Sequence, residues 1–424
     1  MNILMLTNTF TPYIGGVANS VTWLAENLRA AGHRVLIIAP EFDGAPEDEI
    51  DVLRIPALQR FGGSDFSVPI PLSRSLDEAL GVFQPDIVHS HHPFLLGDTA
   101  LRVSATRDLP IVYTYHTRYE LYGHYVAQDS PALKRLVLSL ALGYCDLCDA
   151  VIAPSQSMAQ FLTEHGVKTP VTVVPTGIDA TRFDHGDGKR LRSASGIPSD
   201  AFVVGHVGRL APEKNLEYLT EAVKQFLTSH AGAHFLVVGC GETMAHIQDT
   251  LTGAGLGSRV HLVGALTGTE LADAYAAMDV FAFSSHSETQ GLVLVEAMAA
   301  GIPVVALDAP GAREVVTDSR NGRLLPANSP ADHFAHALHW VVGRSVAERK
   351  TLREAAIQTS KRFSNDATTK MALTLYASVL KAHRAARASK DNNWQAAKRG
   401  LGEEYKILRN LAHAIGEAVL TSAS

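Results

Sequence analysis

Residues 1–40, MNILMLTNTFTPYIGGVANSVTWLAENLRAAGHRVLIIAP, hold a complete strand-helix-strand unit. Asn2–Leu6 is a short apolar strand, and Thr11-Pro12-Tyr13-Ile14-Gly15-Gly16 is a glycine-bearing loop. Val17–Ala31 follows with Val21, Leu24 and Leu28 at helical spacing, Gly32 closes it as a C-cap, and Arg34–Ala39 is a second buried strand. Outward from this unit, Ile87–Ser90, Ile111–Tyr115, Val151–Ala153 and Thr172–Val174 are brief β-branched runs between helical stretches. After a polar segment, Asp184–Asp200, the pattern restarts with Phe202–Val207, Phe235–Val238, Val260–Val263, Val280–Ser284 and Pro303–Ala306. Strands alternating with helices predict an α/β chain with two doubly wound parallel sheets, joined near residues 185–200 and facing a cleft. Ligands of such sheets bind at the carboxyl ends of the strands. The expected division is 1–184, 185–365, a helix at 366–390 crossing back to the first domain, and a helical tail at 391–424.

The chain has 424 residues, 46% hydrophobic and 19% charged, so it is long and apolar enough to bury large cores. Lys and Arg number 37 against 43 Asp and Glu, a net charge of −6, which supplies no basic field for a nucleic-acid backbone. Cys145 and Cys148 form a lone CxxC without further ligands, which reads as buried thiols in a reducing compartment. The first residues read as a strand and not as a signal peptide. The longest apolar stretch, Leu292–Leu307, is interrupted by Glu296. A cytoplasmic protein is expected, soluble or lying on a membrane surface. In the tail, helical spacing puts Leu401, Tyr405, Leu408, Ala412, Ile415 and Val419 on one face, which suits a helix docked on the body or one that meets a membrane or a partner.

Familiar phosphate devices are missing: there is no GxxxxGK[ST], and Gly239-Cys240-Gly241-Glu242-Thr243-Met244 carries Met where a dinucleotide fingerprint needs its third glycine. HExxH is absent, and His89, His91 and His92 lack companion ligands, so no metal is expected. Three other pieces point to a diphosphate ligand. Gly15-Gly16 opens a helix, where backbone N–H groups and the dipole favour an anion. Val207-Gly208-Arg209-Leu210-Ala211-Pro212-Glu213-Lys214 brings two cations to a strand end. Glu288 and Glu296 lie eight positions apart, Glu288 in a loop and Glu296 inside an apolar helix. Eight helical steps span about 12 Å, longer than the roughly 5–9.5 Å between the two carboxyls of a glycosidase. One elongated ligand held at two points, such as a nucleotide sugar, fits better. A glutamate inside an apolar helix needs hydrogen bonds, which sugar hydroxyls would supply.

Together, the Gly15-Gly16 loop, Arg209 with Lys214, the Glu288/Glu296 E-x7-E pair and Pro175-Thr176-Gly177-Ile178-Asp179 resemble the retaining GT-B glycosyltransferases of family 4 over residues 1 to about 380. The resemblance implies two Rossmann-like domains and a metal-independent transfer, without cofactor, of a hexose from a nucleotide sugar. It implies that Glu296 binds the ribose, that Glu288 binds the hexose, and that Arg209 and Lys214 hold the diphosphate with Gly15 and Gly16. Val263 and Gly264 would lie near the base, Gly291 and Leu292 would complete the donor site, and His116 would act at the transferred sugar. His116-Thr117-Arg118-Tyr119-Glu120-Leu121-Tyr122-Gly123-His124-Tyr125 resembles a stretch of the 1,2-diacylglycerol 3-glucosyltransferases, which implies UDP-glucose as donor and Tyr119, Glu120 and His124 on the acceptor side. That branch acts on diacylglycerol at the inner face of the cell membrane, as a peripheral protein on an anionic surface. It often carries a basic amphipathic helix, whereas Ala132–Tyr144 offers only Lys134 and Arg135.

Two other readings remain: a mannosyl- or glucosyltransferase of the same fold using a soluble or other lipid-linked acceptor, with GDP-mannose as a possible donor, and a non-catalytic nucleotide-sugar binding protein. Acceptor contacts come from variable loops such as Ile55–Leu76.

Overall fold

Short strands of fully buried apolar residues organise the computed structural model, which describes residues 1–13, 15–46, 48–58, 68–69, 74–119, 130–387 and 394–420. The chain divides into two units, Met1–Gly177 with Thr368–Ser424, and Ile178–Ala367.

The first unit runs β1 (Asn2–Leu6), α1 (Gly16–Ala30), β2 (Arg34–Pro40), β3 (Val52–Ile55), a two-stranded ribbon β4 (Ala57–Leu58) and β5 (Val68–Pro69), α2 (Arg74–Phe83), β6 (Ile87–Ser90), α3 (Leu96–Arg107), β7 (Ile111–Thr114), α4 (Pro131–Cys145), β8 (Ala150–Ala153), α5 (Gln156–Glu164) and β9 (Val171–Val173). Its seven-stranded sheet is ordered β3-β2-β1-β6-β7-β8-β9, and every pairing is parallel. Alternation along β1 splits the core in two: Leu4 and Leu6 join one apolar cluster with Val88 and Tyr113, while Ile3 and Met5 join the other with Ile37 and Val112. Both faces are therefore covered, which is why the strand reads as an unbroken apolar run. The second cluster is completed from the far end of the chain, by Ala372, Leu375, Tyr376 and Val379 of α14 (Asn365–Arg387).

The second unit runs α6 (Gly188–Ala194), β10 (Phe202–Val207), α7 (Leu216–Ser229), β11 (Ala233–Val238), α8 (Met244–Gly253), β12 (Val260–Leu262), α9 (Gly268–Ala276), β13 (Val280–Phe283), α10 (Leu292–Ala299), β14 (Val304–Leu307), α11 (Ala312–Val315), β15 (Gly322–Leu325), α12 (Ala331–Val342) and α13 (Val346–Ser360). Its six strands are ordered β12-β11-β10-β13-β14-β15, again all parallel. In both sheets the order reverses beside the first strand, between β1 and β6 and between β10 and β13, where the strand-end loops diverge and leave a crevice.

By its contacts the chain divides at 177/178. The polar segment expected to join the halves is built into the second unit. Asp179 caps a short helical turn at Ala180–Arg182, Arg190 pairs with Asp273, and Arg192 pairs with Asp279 at 2.9 Å while donating to the Ala277 and Ala201 carbonyls. Cys145 ends α4, so Cys148 lies just past the helix; both thiols are buried and free.

The tail forms α15 (Trp394–Leu420), which packs on α3 and α4 within the first unit. Its large apolar stripe does not make that contact. Among the described side chains of α15, Glu403, Ala414 and Ala418 are buried and Ile407 joins the core cluster, while that of Val419, on the expected face, lies outside those described. Asn410 donates to the Leu140 carbonyl at 3.2 Å, and a Cβ on Gly143 would stand 1.8 Å from Asn410 Oδ1. The glycine on α4 allows this close approach, and the Arg102–Glu404 ion pair ties α15 to α3 as well. No helix among the described residues is long and apolar enough to cross a membrane.

Candidate active site

In the second unit the loops after β10 and β13 leave neighbouring strands and are tied together by hydroxyls. Ser284 donates to the carbonyls of Lys214 at 2.9 Å and Asn215 at 3.0 Å. Ser287 donates to the Glu213 carbonyl at 3.3 Å, and Asn215, in a left-handed conformation, donates back to Ser284. The result is an ion pair of 2.5 Å between Lys214 Nζ and Glu288 Oε1, with Arg209 paired to Glu213 in the same loop. Gly291 starts α10 at φ +73°, and Gly311 packs so closely behind it that a Cβ there would stand 3.0 Å from the Glu288 Cβ. The glycines that resembled a dinucleotide fingerprint are accounted for by packing: Gly239 and Gly241 have positive φ, and a Cβ on them would meet the carbonyls of Gly208 and Leu210 at 1.9 and 2.2 Å. Beside them, the Gly264 carbonyl accepts from Gly239 N–H at 2.7 Å and Val263 N–H donates to Val237.

Glu296 lies on α10, of which Leu292 is the first residue, and it is buried. The hydroxyl of Tyr275 donates to its Oε2 at 2.7 Å, so part of the hydrogen bonding expected from a ligand comes from the protein. Burial pushes the Glu296 carboxyl above the usual carboxylate range, against the opposing pull of the Tyr275 hydroxyl and the Arg182 charge. Near the Lys214–Glu288 pair stands His206, with Nδ1 donating to the Ala282 carbonyl at 3.1 Å and a buried Nε2 that has no partner. Burial lowers its pKa to about 4, so at neutral pH Nε2 is an unprotonated acceptor.

In the first unit, Gly15 caps α1 without a side-chain bond to the helix, leaving its N-terminus to backbone groups. At the ends of β6 and β7 three histidine rings meet, His116 stacked on His91 and His89 tilted against it. His91 and His116 are 5.2 Å apart between ring centroids, and His89 and His91 are 4.1 Å apart. His91 Nδ1 lies 3.0 Å from His116 Nε2. His91 Nε2 is buried without a partner. An unmet buried N–H is costlier than an unmet lone pair. The hydrogen therefore belongs on His91 Nδ1, and His116 accepts at Nε2 and carries its own hydrogen on Nδ1. Tyr376 Oη and Thr114 Oγ1 hold the two nitrogens of His89, each at 2.7 Å. Burial lowers His89, His92 and His116 to about 3, so these rings are neutral at pH 7. No group of three or more His, Cys, Asp or Glu among the described residues is placed to hold a metal ion.

Of the acceptor-side candidates, Tyr119 packs edge-on against Phe94 and Tyr115 over the core cluster. Glu120 and His124 lie outside the described residues.

Two cations and a carboxylate at strand ends, with a second carboxylate on α10, suit a polyanion joined to polyhydroxyl groups, and the comparisons agree in kind. The model described as Glycosyltransferase Family 4 matches residues 14–182, and that described as Glycosyl transferases group 1 matches residues 187–359. A GDP-mannose-dependent alpha-mannosyltransferase of Mycobacterium tuberculosis is 32% identical over 84% of this chain and 91% of its own length. The chain is a family 4 glycosyltransferase. An alpha-monoglucosyldiacylglycerol synthase of Streptococcus pneumoniae is 30% identical over 76% of this chain and 75% of its own. The fold of this family 4 glycosyltransferase is GT-B: sucrose-phosphate synthase from Thermosynechococcus elongatus matches at a TM-score of 0.72 and 22% identity, covering 90% and 99% of the two chains. HepE of Anabaena in complex with UDP matches at a TM-score of 0.70 and 23% identity, covering 89% and 100%.

Sequence reasoning about this glycosyltransferase missed Tyr275 and His206. Tyr275 is 21 positions from its partner, and His206 is the penultimate residue of a strand in which every residue is buried, so neither leaves a local pattern. The hydroxyl run Ser284-Ser285-His286-Ser287 at a strand end was the one available signal.

Proposed function

We propose that this glycosyltransferase moves glucose from UDP-glucose to the free hydroxyl of diacylglycerol at an anionic membrane surface, with retained anomeric configuration and without a metal or cofactor. The observation that carries the reading is the cluster at the ends of β10 and β13, where Lys214 meets Glu288 with Arg209 beside them. Lys214 and Arg209 take the diphosphate charge that a metal would otherwise neutralise. Glu288 binds the hexose, Glu296 binds the ribose with Tyr275 holding its second oxygen, and the backbone around Val263 and Gly264 lies at the base. Gly15 and Gly16 contribute backbone N–H groups to the diphosphate, and His116, with its hydrogen on Nδ1, donates to the transferred sugar. In the transfer the acceptor oxygen bonds to the anomeric carbon, the bond from that carbon to the phosphate oxygen breaks, and the acceptor proton passes to the leaving phosphate.

The diacylglycerol acceptor is supported by the His116–Tyr125 stretch and by relatives named alpha-monoglucosyldiacylglycerol synthase at 30% and 28% identity. A second reading, GDP-mannose as donor with another acceptor, is favoured by the mannosyltransferase relatives of Mycobacterium tuberculosis and Mycolicibacterium smegmatis at 32% and 33% identity. One assay separates them: release of UDP from UDP-glucose, with and without diacylglycerol in mixed micelles containing anionic lipid, run beside GDP-mannose. Diacylglycerol-dependent UDP release is expected. Release of GDP alone transfers the conclusion to the second reading, and binding of either donor without turnover of any acceptor would return the non-catalytic one.

A further inference from the structure

Five of the large apolar side chains that stand exposed among the described residues sit on α15: Leu401, Tyr405, Leu408, Leu411 and Ile415. Leu401, Tyr405, Leu408 and Ile415 are 74, 66, 61 and 48% exposed and, with Ala412, form one stripe at helical spacing. The opposite side of the helix is already occupied, since Glu403, Ala414 and Ala418 are buried and Asn410 bonds to α4. The stripe is therefore a contiguous patch that the fold has turned outward, and patches of this kind mark contact surfaces.

Its charge selects the occupant. From Leu401 to Ile415 the ionisable side chains at exposed positions, beyond Tyr405 itself, are Lys406, Arg409 and His413, all basic or neutral. The acids are engaged in ion pairs: Glu403 is buried and pairs with Lys406 at 3.0 Å, and the partly exposed Glu404 is bound to Arg102. The formal charges of Leu401–Ile415, two acids and two cations with His neutral, sum to zero in a chain of net charge −6, and the two cations lie at the outward positions. A second copy docked on the stripe would fit poorly. A two-fold pairing of antiparallel helices centred on Leu408 sets Arg409 against Arg409, which opposes association. Anionic lipid headgroups complement the two cations, and leucine, isoleucine and tyrosine side chains suit the boundary between headgroups and acyl chains.

We infer that the outward stripe of α15, Leu401-Tyr405-Leu408-Ile415 with Lys406 and Arg409 on its flank, docks this protein on an anionic lipid surface with the helix lying in the plane of the interface. The inference bears on the lipid acceptor proposed above but does not rest on it, since the stripe faces outward whatever the acceptor.

The test is flotation of the full chain with vesicles of phosphatidylglycerol and phosphatidylcholine in equal parts, against phosphatidylcholine alone, without nucleotide sugar. Two doubly substituted chains are compared, Leu408→Glu/Ile415→Glu on the stripe and Ile50→Glu/Val346→Glu at exposed apolar positions elsewhere, which add the same charge. The wild type and the second variant are expected to float with anionic vesicles, while the stripe variant loses at least about tenfold in partitioning. Because the replaced side chains already face water, the stripe variant should melt no lower than the wild type. Sedimentation velocity of the wild type should show a monomer. Failure of the wild type to float, flotation of the stripe variant equal to wild type, or a wild-type dimer that the stripe variant dissociates would each overturn the inference. None of these readings uses turnover, so they stand apart from the donor and acceptor assays.

Discussion

At the scale of single residues, the Lys214–Glu288 pair decides most. Both side chains are largely buried and bonded at 2.5 Å, so each is held by the other as well as by any ligand. Glu288→Gln removes a charged contact to the transferred sugar, and Lys214→Ala leaves the diphosphate under-neutralised. Each is expected to lower kcat by about a hundredfold or more. The double variant should lose less than the product of the two, because the pair acts as a unit. Steady-state rates near wild type in either single variant would sink the assignment. Tyr275→Phe tests a different point. It strips a buried carboxylate of a donor at 2.7 Å, so donor affinity should fall by roughly tenfold while kcat changes less, consistent with about 1–3 kcal/mol for an unmet buried group. An unchanged KM for the donor would place Glu296 away from the ligand. These two residues also mark where sequence reading ends. The acid at position 296 is visible as a misfit in an apolar run, but the hydroxyl that satisfies it lies on another helix and has no signature of its own.

At the scale of elements, eleven strands were legible as brief apolar or β-branched runs, with observed bounds within two residues of those read, whereas the edge strands Val52–Ile55 and Gly322–Leu325, mostly half-buried, were not read. The docked face of α15 was not legible. Apolar periodicity finds the stripe at Leu401, Tyr405, Leu408 and Ile415, but the packing face is made of Ala414, Ala418 and Asn410 against Gly143, where closeness and not hydrophobicity decides. The end of β6 carries a second prediction. His91 holds His116 by one hydrogen bond, so His91→Phe should lower kcat with donor KM little changed and should release His116 to both tautomers in nitrogen-15 NMR spectra. A kcat equal to wild type, with the His116 tautomer unmoved, refutes the positioning role. The buried histidines of both units set a pH dependence. His89, His92 and His116 titrate near 3 and His206 near 4 in the folded chain, against 6.5 when unfolded. Below pH 6.5 the unfolded chain binds protons that the folded chain refuses, so stability is lost as pH falls from 6.5 toward about 4. Each histidine contributes about 1.4 kcal/mol per pH unit in that window. Urea midpoints measured from pH 7 to pH 5 should fall steadily, and a flat profile would show these rings to be solvated.

At the scale of the whole molecule, the chain enters the first unit, builds the second, and returns through α14 to finish the first. The return is structural and not an appendage. Tyr376 is fully buried among Ile3, Ile37 and Val112, and its hydroxyl meets His89 Nδ1 at 2.7 Å. Tyr376→Ala therefore opens a cavity beneath β1 and also takes from His89 one of its two partners, a cost of about 3–5 kcal/mol. The second unit has a core of its own, built from Val204, Phe235, Phe334 and their neighbours, to which α14 contributes nothing. The loss should thus stay local. Hydrogen exchange read by mass spectrometry is expected to show faster exchange throughout β1, β2, β6 and β7 in the variant, while peptides from β10, β11, β13 and β14 keep their protection. Equal loss in both units would mean that they unfold as one cooperative body. No loss in either would mean that the core under β1 closes without its last helix.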